Sequence, residues 1–215
     1  HPRLARYMGR CDDNGWFLLL REFAEFGTLH GAFENLEGQI SWEHKAVMMQ
    51  QIAQGMEFLA ENGVLHQDLS TRSVLLFGFN QKDAEKTSVK VADYGLLTGS
   101  NHCTYSMEAI MNGRLSFNTN GRPVRYMSPE AIKKRQYTEK SDVWAFGVTC
   151  WEIMTSGKTP YFHIADDESV SAYVCDGGRL RREEIDEGCP DRVWELVQCC
   201  WKENDENRPK FSELV

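Results

Sequence analysis

The run Ser141-Asp142-Val143-Trp144-Ala145-Phe146-Gly147-Val148, continuing through Cys150, Trp151 and Ile153, restricts the fold more than any other stretch of this chain. Residues 142–155 are apolar nearly all round, so the helix they predict has no face to leave to water. Such a helix needs other elements packed around it, and 215 residues are enough for one substantial core. The 41% hydrophobic and 26% charged content fits a soluble globular protein. A net charge of -8, with no Lys/Arg run, argues against a nucleic-acid surface. No apolar stretch approaches the ~20 residues of a membrane span, and there is no signal peptide.

The elements around this helix can be read in order. Apolar runs at 4–11 and 16–22 flank Asp12-Asp13-Asn14-Gly15 and predict a β-hairpin turning at Asn-Gly. Glu25-Phe26-Gly27-Thr28 breaks the pattern as a connector. Ser41 can cap a helix running to about Asn62, with Ala46, Met49, Ala53, Met56 and Ala60 as its apolar stripe and Gly63 ending it. Residues 74–77 and 89–92 read as short strands around a polar loop, 78–88. Residues 96–123 carry no steady period and predict a functional loop. Further helices are expected near 166–176, 190–201 and from 211 onward. The fold class is α+β: a mostly helical body with a small β element at its front edge.

The seven cysteines include no CxxC pair, and Cys150, Cys199 and Cys200 sit in apolar runs beside Trp. Buried free thiols in a reducing, cytoplasmic compartment are expected, without metal or disulfide use. The chain begins at His1-Pro2 without an initiator Met and stops inside a helical pattern, and so reads as a fragment of a longer protein.

The chemistry is concentrated in His66-Gln67-Asp68-Leu69-Ser70-Thr71-Arg72-Ser73 and, after the strand pair, Asp93-Tyr94-Gly95. Two carboxylates so placed suit phosphoryl transfer, in which one orients and deprotonates a hydroxyl and the other holds Mg²⁺ on nucleotide phosphates.

This segment resembles the catalytic loop and metal-binding triplet of protein tyrosine kinases. Tyr126-Met127-Ser128-Pro129-Glu130 resembles the end of their activation segment, the run at 141–148 their central helix, and Cys200-Trp201 with Arg208-Pro209-Lys210-Phe211 their closing helices. His1-Pro2-Arg3-Leu4 and Arg21-Glu22-Phe23-Ala24-Glu25-Phe26-Gly27-Thr28-Leu29 resemble a loop entering the small lobe's fourth strand and the gatekeeper-hinge segment. The resemblance spans the whole chain and implies one partial protein kinase domain, with small-lobe strands at 1–22, a hinge at 23–29 and the large lobe at 30–215. Ser70, where Ser/Thr kinases carry Lys, and Arg72 favour the tyrosine group.

The resemblance also implies residue roles. Asp68 would be the base at the acceptor hydroxyl, with Arg72 as its catalytic neighbour. Asp93 and Ser73 would hold the metal and the nucleotide, the backbone of Glu22 and Ala24 would bond adenine, and Leu75 would pack under the base. ATP with Mg²⁺, or Mn²⁺ in its place, would be the cofactors and a protein tyrosine the acceptor. His66 and Tyr94 would stack with Tyr7, Asp142 would anchor the catalytic loop, and Glu130 would pair with Arg208. A receptor with a cytoplasmic kinase domain is one form the parent protein could take.

Several positions depart from the family. Ser73 stands where an Asn is usual and is the weaker ligand. Gln67 replaces the Arg that grips an activation-loop phosphate, for which Tyr105 is the tyrosine available within 96–123. Tyr94 replaces Phe. Arg21 at the gatekeeper position must find an acid or water, because an unpaired buried charge is costly; an acid outside this chain could be the partner, or the side chain could narrow the adenine pocket. The family's Gly-rich loop, ATP-anchoring Lys and partner Glu lie upstream of His1, so this stretch alone is expected to bind ATP poorly. Two readings stand at this point: a tyrosine kinase, and a pseudokinase using the same fold for protein interaction or allostery. A small-molecule phosphotransferase would not need the segments at 126–130 and 141–148.

Overall fold

The computed structural model describes residues 1–13, 16–95 and 123–215. Strands β1 (Tyr7–Asp13) and β2 (Trp16–Arg21) pair antiparallel, with a register shift between Tyr7 and Gly9. This is the expected hairpin; its Asn14-Gly15 turn lies outside the described residues. β1 starts at Tyr7 rather than residue 4 because the preceding backbone is used elsewhere. Ala5 N donates to Val91 O at 2.7 Å, and Val91 N donates to Arg3 O at 2.9 Å.

After the connector, Thr28 caps a short helix, α1 (Leu29–Asn35), its hydroxyl accepting from Gly31 N at 3.2 Å. Helix α2 (Trp42–Glu61) lies between Ser41 and Asn62 as the sequence indicates, and Gly63 follows at φ 68. Its buried face includes Met49, Ala53 and Met56 of the expected stripe but not the two ends of that stripe. Ala46 is exposed and Ala60 half-buried, whereas Met48, Ile52 and Leu59, outside that stripe, are buried. Both rows step by three and four, and the one carrying larger side chains removes more apolar surface from water.

Strands β3 (Val74–Gly78) and β4 (Ser88–Val91) pair antiparallel, and a 3-10 turn, Ala84–Lys86, fills part of their connection. Buried Gln51 ties α2 to this pair: its amide donates to Thr87 O at 2.9 Å and accepts from Val89 N at 2.8 Å. Those bonds satisfy a polar side chain that would otherwise be costly to bury.

The second half is helical, with α3 (Pro129–Lys134), α4 (Glu139–Met154), α5 (Asp167–Cys175) and α6 (Asp191–Cys199). Every residue of α4 from Ser141 to Met154 is buried, as its apolar circumference requires. Gly147 lets Trp201 and Cys200 approach, since a Cβ there would lie 2.6 Å from Trp201 Nε1. Residues from 211 form a 3-10 turn, Phe211–Glu213, instead of an α-helix. Phe211 is pinned there by an edge-to-face contact with Phe146 at 5.8 Å, and its N–H donates to Glu139 at 3.0 Å.

Cys150 and Cys200 are buried free thiols, while Cys199 is half-buried. No described helix is long and apolar enough to cross a membrane. The architecture is α+β, a helical body bearing a β-hairpin at one edge.

Candidate active site

The loop carrying Asp68 is built on α4. Asp142, in that helix's first turn, accepts from His66 N at 2.7 Å and from Gln67 N at 2.9 Å. Charge-assisted bonds of this kind support the left-handed backbone of Gln67 (φ 65), which a non-glycine residue rarely adopts. His66 is fully buried, and its Nε2 lies 2.9 Å from Ala92 O. A carbonyl can only accept, so Nε2 carries the hydrogen and Nδ1 is left to accept from Asp68 N at 3.3 Å. Burial pushes the His66 pKa down to about 4 and keeps the ring neutral. Asp68 itself is half-buried, its backbone held from below by these contacts.

Ser73 closes the loop on itself. Its hydroxyl accepts from Ser70 N at 3.0 Å and lies 3.0 Å from Ser70 O and 3.1 Å from Asp68 O as a donor. One hydroxyl has a single hydrogen, so these three contacts absorb its donating capacity and direct the side chain into the loop.

Asp93 follows β4 in a left-handed conformation, φ 59. Its Oδ1 accepts from Nη1 of Arg21, the last residue of β2, at 2.9 Å. The acid that Arg21 requires is Asp93, within this chain rather than outside it. Residues far apart in sequence meet because the end of β2 lies beside the segment that follows β4. Burial raises the Asp93 pKa, Arg21 pulls it back, and the carboxyl stays above its ordinary range. The two side chains are 35% and 32% exposed, so solvent screens part of their attraction. Tyr7 and Tyr94 meet edge to face at 5.4 Å beside the pair, and the Tyr94 hydroxyl donates to Ala5 O at 2.7 Å. His66 is fixed by Ala92 rather than by joining that ring pair.

A divalent cation such as Mg²⁺ needs several oxygen ligands in a demanding geometry. Here Asp93 already holds a guanidinium and Ser73 faces its own loop. Among the described residues no group of three or more His, Cys, Asp or Glu side chains gathers as a metal site. The Ser73 hydroxyl is therefore not offered to an ion, and Asp93 offers one only the oxygen that Arg21 leaves open.

Next to this pair, Leu75, Ala5, Ala24 and Ala92 form a small apolar cluster of their own, with Phe77 at its edge. Ala24 O accepts from Gly27 N at 3.1 Å, and Glu22 N donates to Arg6 O at 3.0 Å. The Glu22 carboxylate takes two bonds from Lys90 Nζ, each 2.8 Å. Leu75 and Ala24 are thus brought together, with Glu22 tied to β4.

On the other side of Asp68, Arg72 lies over the Tyr126 ring at 5.4 Å. Beneath them is Glu152, a buried acid that sequence reasoning missed. It accepts from Thr71 N at 3.1 Å, Thr71 Oγ1 at 3.1 Å and the Tyr126 hydroxyl at 2.8 Å. Burial raises its pKa against these bonds. The signal was available: Glu152 is the one acid in the largely apolar run that follows Asp142, and a carboxylate there implies partners waiting in the core. A recess of about 20 Å³, bordered by Asp68, Pro123 and Tyr126, separates the loop from this segment. Further on, Glu130 receives Arg208 through both oxygens, at 2.7 and 2.9 Å. Tyr105 and the rest of residues 96–122 lie outside the described residues.

Comparison with known proteins fits this frame. The model of the family "Protein tyrosine and serine/threonine kinase" matches residues 1–215. Inactive tyrosine-protein kinase 7 of Mus musculus is 33% identical over 223 residues, covering 100% of this chain and 19% of that protein. Its Homo sapiens counterpart is also 33% identical, with the same coverage. Tyrosine-protein kinase transforming protein Abl of Abelson murine leukemia virus is 34% identical over 215 residues, covering 100% of this chain and 26% of that protein. The chain therefore spans about a fifth to a quarter of the length of these relatives. With the α4-anchored loop, the Glu130–Arg208 pair and a match from end to end, this chain belongs to the protein tyrosine and serine/threonine kinase family.

Proposed function

We propose that this domain is a tyrosine-kinase fold working as a pseudokinase, a protein-interaction or allosteric module with little or no phosphoryl transfer. The observation that carries this reading is that both side chains expected to hold a metal are engaged by the protein, Asp93 by Arg21 and Ser73 by its own loop. Phosphoryl transfer depends on positioning and on neutralising charge that develops on the phosphoryl oxygens. Without a divalent ion, Asp68 adds negative charge where negative charge must be offset, and the Arg21 cation is already paired with Asp93. Gln67 contributes no cation for an activation-loop phosphate. The similarity to proteins named inactive tyrosine-protein kinase 7 agrees with this reading.

A second reading, an ATP- and Mg²⁺-dependent protein tyrosine kinase, is favoured by one feature: the Asp68 loop is fully anchored by Asp142. In that reading Asp68 would align the acceptor hydroxyl, with Arg72 beside it. Glu22 and Ala24 would meet adenine above Leu75. The test is an assay of the full-length protein with labelled ATP, Mg²⁺ or Mn²⁺, and a Tyr-containing polymer. The pseudokinase reading predicts no transfer above that of Asp68→Asn. Transfer that Asp68→Asn abolishes contradicts it.

A further inference from the structure

The geometry points to the groove between α1, the start of α2 and residues 155–158 and 186–187 as a docking surface for a partner protein's peptide segment, one that carries apolar side chains flanked by Arg or Lys. This gives the interaction-module reading above a surface and a partner class, and it rests on that reading. The groove has a volume of about 780 Å³, within the range that takes several side chains. Its floor is apolar: Leu36, Ile40 and Trp42 are half-buried, packing on the core from one side and lining the groove from the other. The walls are fastened to each other. Trp42 Nε1 donates to Glu187 O at 2.7 Å, and Lys45 pairs with Asp186 at 2.6 Å. Glycines let the aromatic rings close in, since a Cβ at Gly188 would lie 3.2 Å from Trp42 and one at Gly157 3.2 Å from Phe33. A groove formed in advance costs a partner little reorganisation.

Charge fixes the sign of what the groove takes. Glu34, Glu37 and Glu187 are exposed along its lining, and among the described residues none of their carboxylates is in an ion pair. The two lysines of the lining are already in use. Lys45 Nζ donates to Asp186, to Ser156 Oγ at 2.9 Å and to Met154 O at 3.3 Å, which spends its three hydrogens. Lys158 Nζ donates to Glu184 O at 2.9 Å. An incoming guanidinium or ammonium therefore meets three open carboxylates, and an incoming acid is repelled by them. Exposed charges of this kind select the partner, while the apolar floor supplies the affinity.

Full-length protein would be titrated, by fluorescence anisotropy, with three short labelled peptides: one of Leu and Arg, one of Leu and Glu, and one of Ser and Arg. The Leu/Arg peptide is expected to bind at least about tenfold more tightly than either of the others, and less tightly as salt rises. Glu34→Lys combined with Glu37→Lys should weaken that binding at least about tenfold. Both side chains are exposed, so the fold is kept, which an unchanged melting temperature verifies. Glu61→Lys combined with Glu206→Lys alters the net charge equally but outside the groove, and should leave binding within about twofold of wild type. Absence of Leu/Arg binding, or equal binding of either comparison peptide, overturns the inference and leaves the pseudokinase reading standing. So does equal weakening by the two double variants, which would mean attraction to net charge alone. A dimer in sedimentation that the groove variant dissolves also overturns it, by giving the groove to a second copy of this chain. Asp68-dependent transfer in the ATP assay overturns the pseudokinase reading, whichever peptide binds.

Discussion

At the scale of single residues, buried groups with forced protonation states offer the clearest tests. His66 is neutral in the folded protein, with its pKa lowered from 6.5 to about 4 by burial. Unfolding below pH 6.5 therefore takes up a proton. The stability linked to this group is fully present above the unfolded value and is lost as pH falls toward the folded one. The loss should reach about 3 kcal/mol, the free energy of a shift of that size. Urea unfolding at several pH values should show this slope in the wild type and a shallower one in His66→Gln; equal slopes would contradict it. The roles of Asp142 and of the Glu130–Arg208 pair were legible in the sequence because they sit inside long, specific runs. The partner of Arg21 was not. Asp93 is 72 positions away, and only the meeting of β2 with the end of β4 joins them. Ser73 was visible as a substitution, but the direction of its hydroxyl depends on the loop's local turn.

At the scale of elements, helix positions were easier to read than helix faces. The ends of α2 follow from Ser41, Asn62 and Gly63, whereas two interleaved apolar rows left its rotation open until α4 and β4 were packed against it. Gln51 escaped notice because a Gln on a helix normally reads as solvated; its bonds to Thr87 and Val89 exist only once β4 is in place. Close approach to α4 gives a sharper prediction. Gly147→Ala would put a Cβ 2.8 Å from Cys200 Cβ and closer still to the buried Trp201. Neither neighbour is free to swing away, so a loss of roughly 1–3 kcal/mol is expected in urea denaturation. Gly9→Ala is the control, since nothing lies within 4 Å of its Cβ. It should change stability by no more than about 0.5 kcal/mol.

At the scale of the whole molecule, one core organises the chain: α2 and α4 contribute much of it, and segments from Leu4 to Phe211 converge on it. The Glu130–Arg208 pair closes that body by joining α3 to the residues after α6. Arg208 is buried, and its guanidinium also packs on the Trp144 ring at 4.9 Å. Glu130→Gln should cost roughly 3–5 kcal/mol, because it strands a buried charge. Double substitution to a matched apolar pair should cost less, as read by a thermodynamic cycle. The same frame explains why the family could be read from sequence and turnover could not. Fold-defining residues lie in contiguous motifs, whereas the state of the site depends on one long-range ion pair and one hydroxyl direction. The most direct test is anomalous scattering from crystals of the full-length protein grown with ATP and Mn²⁺. The account predicts no manganese peak at Asp93, with the Arg21 guanidinium still on its carboxylate. A manganese peak at the Asp93 carboxylate, with Arg21 displaced, would contradict it.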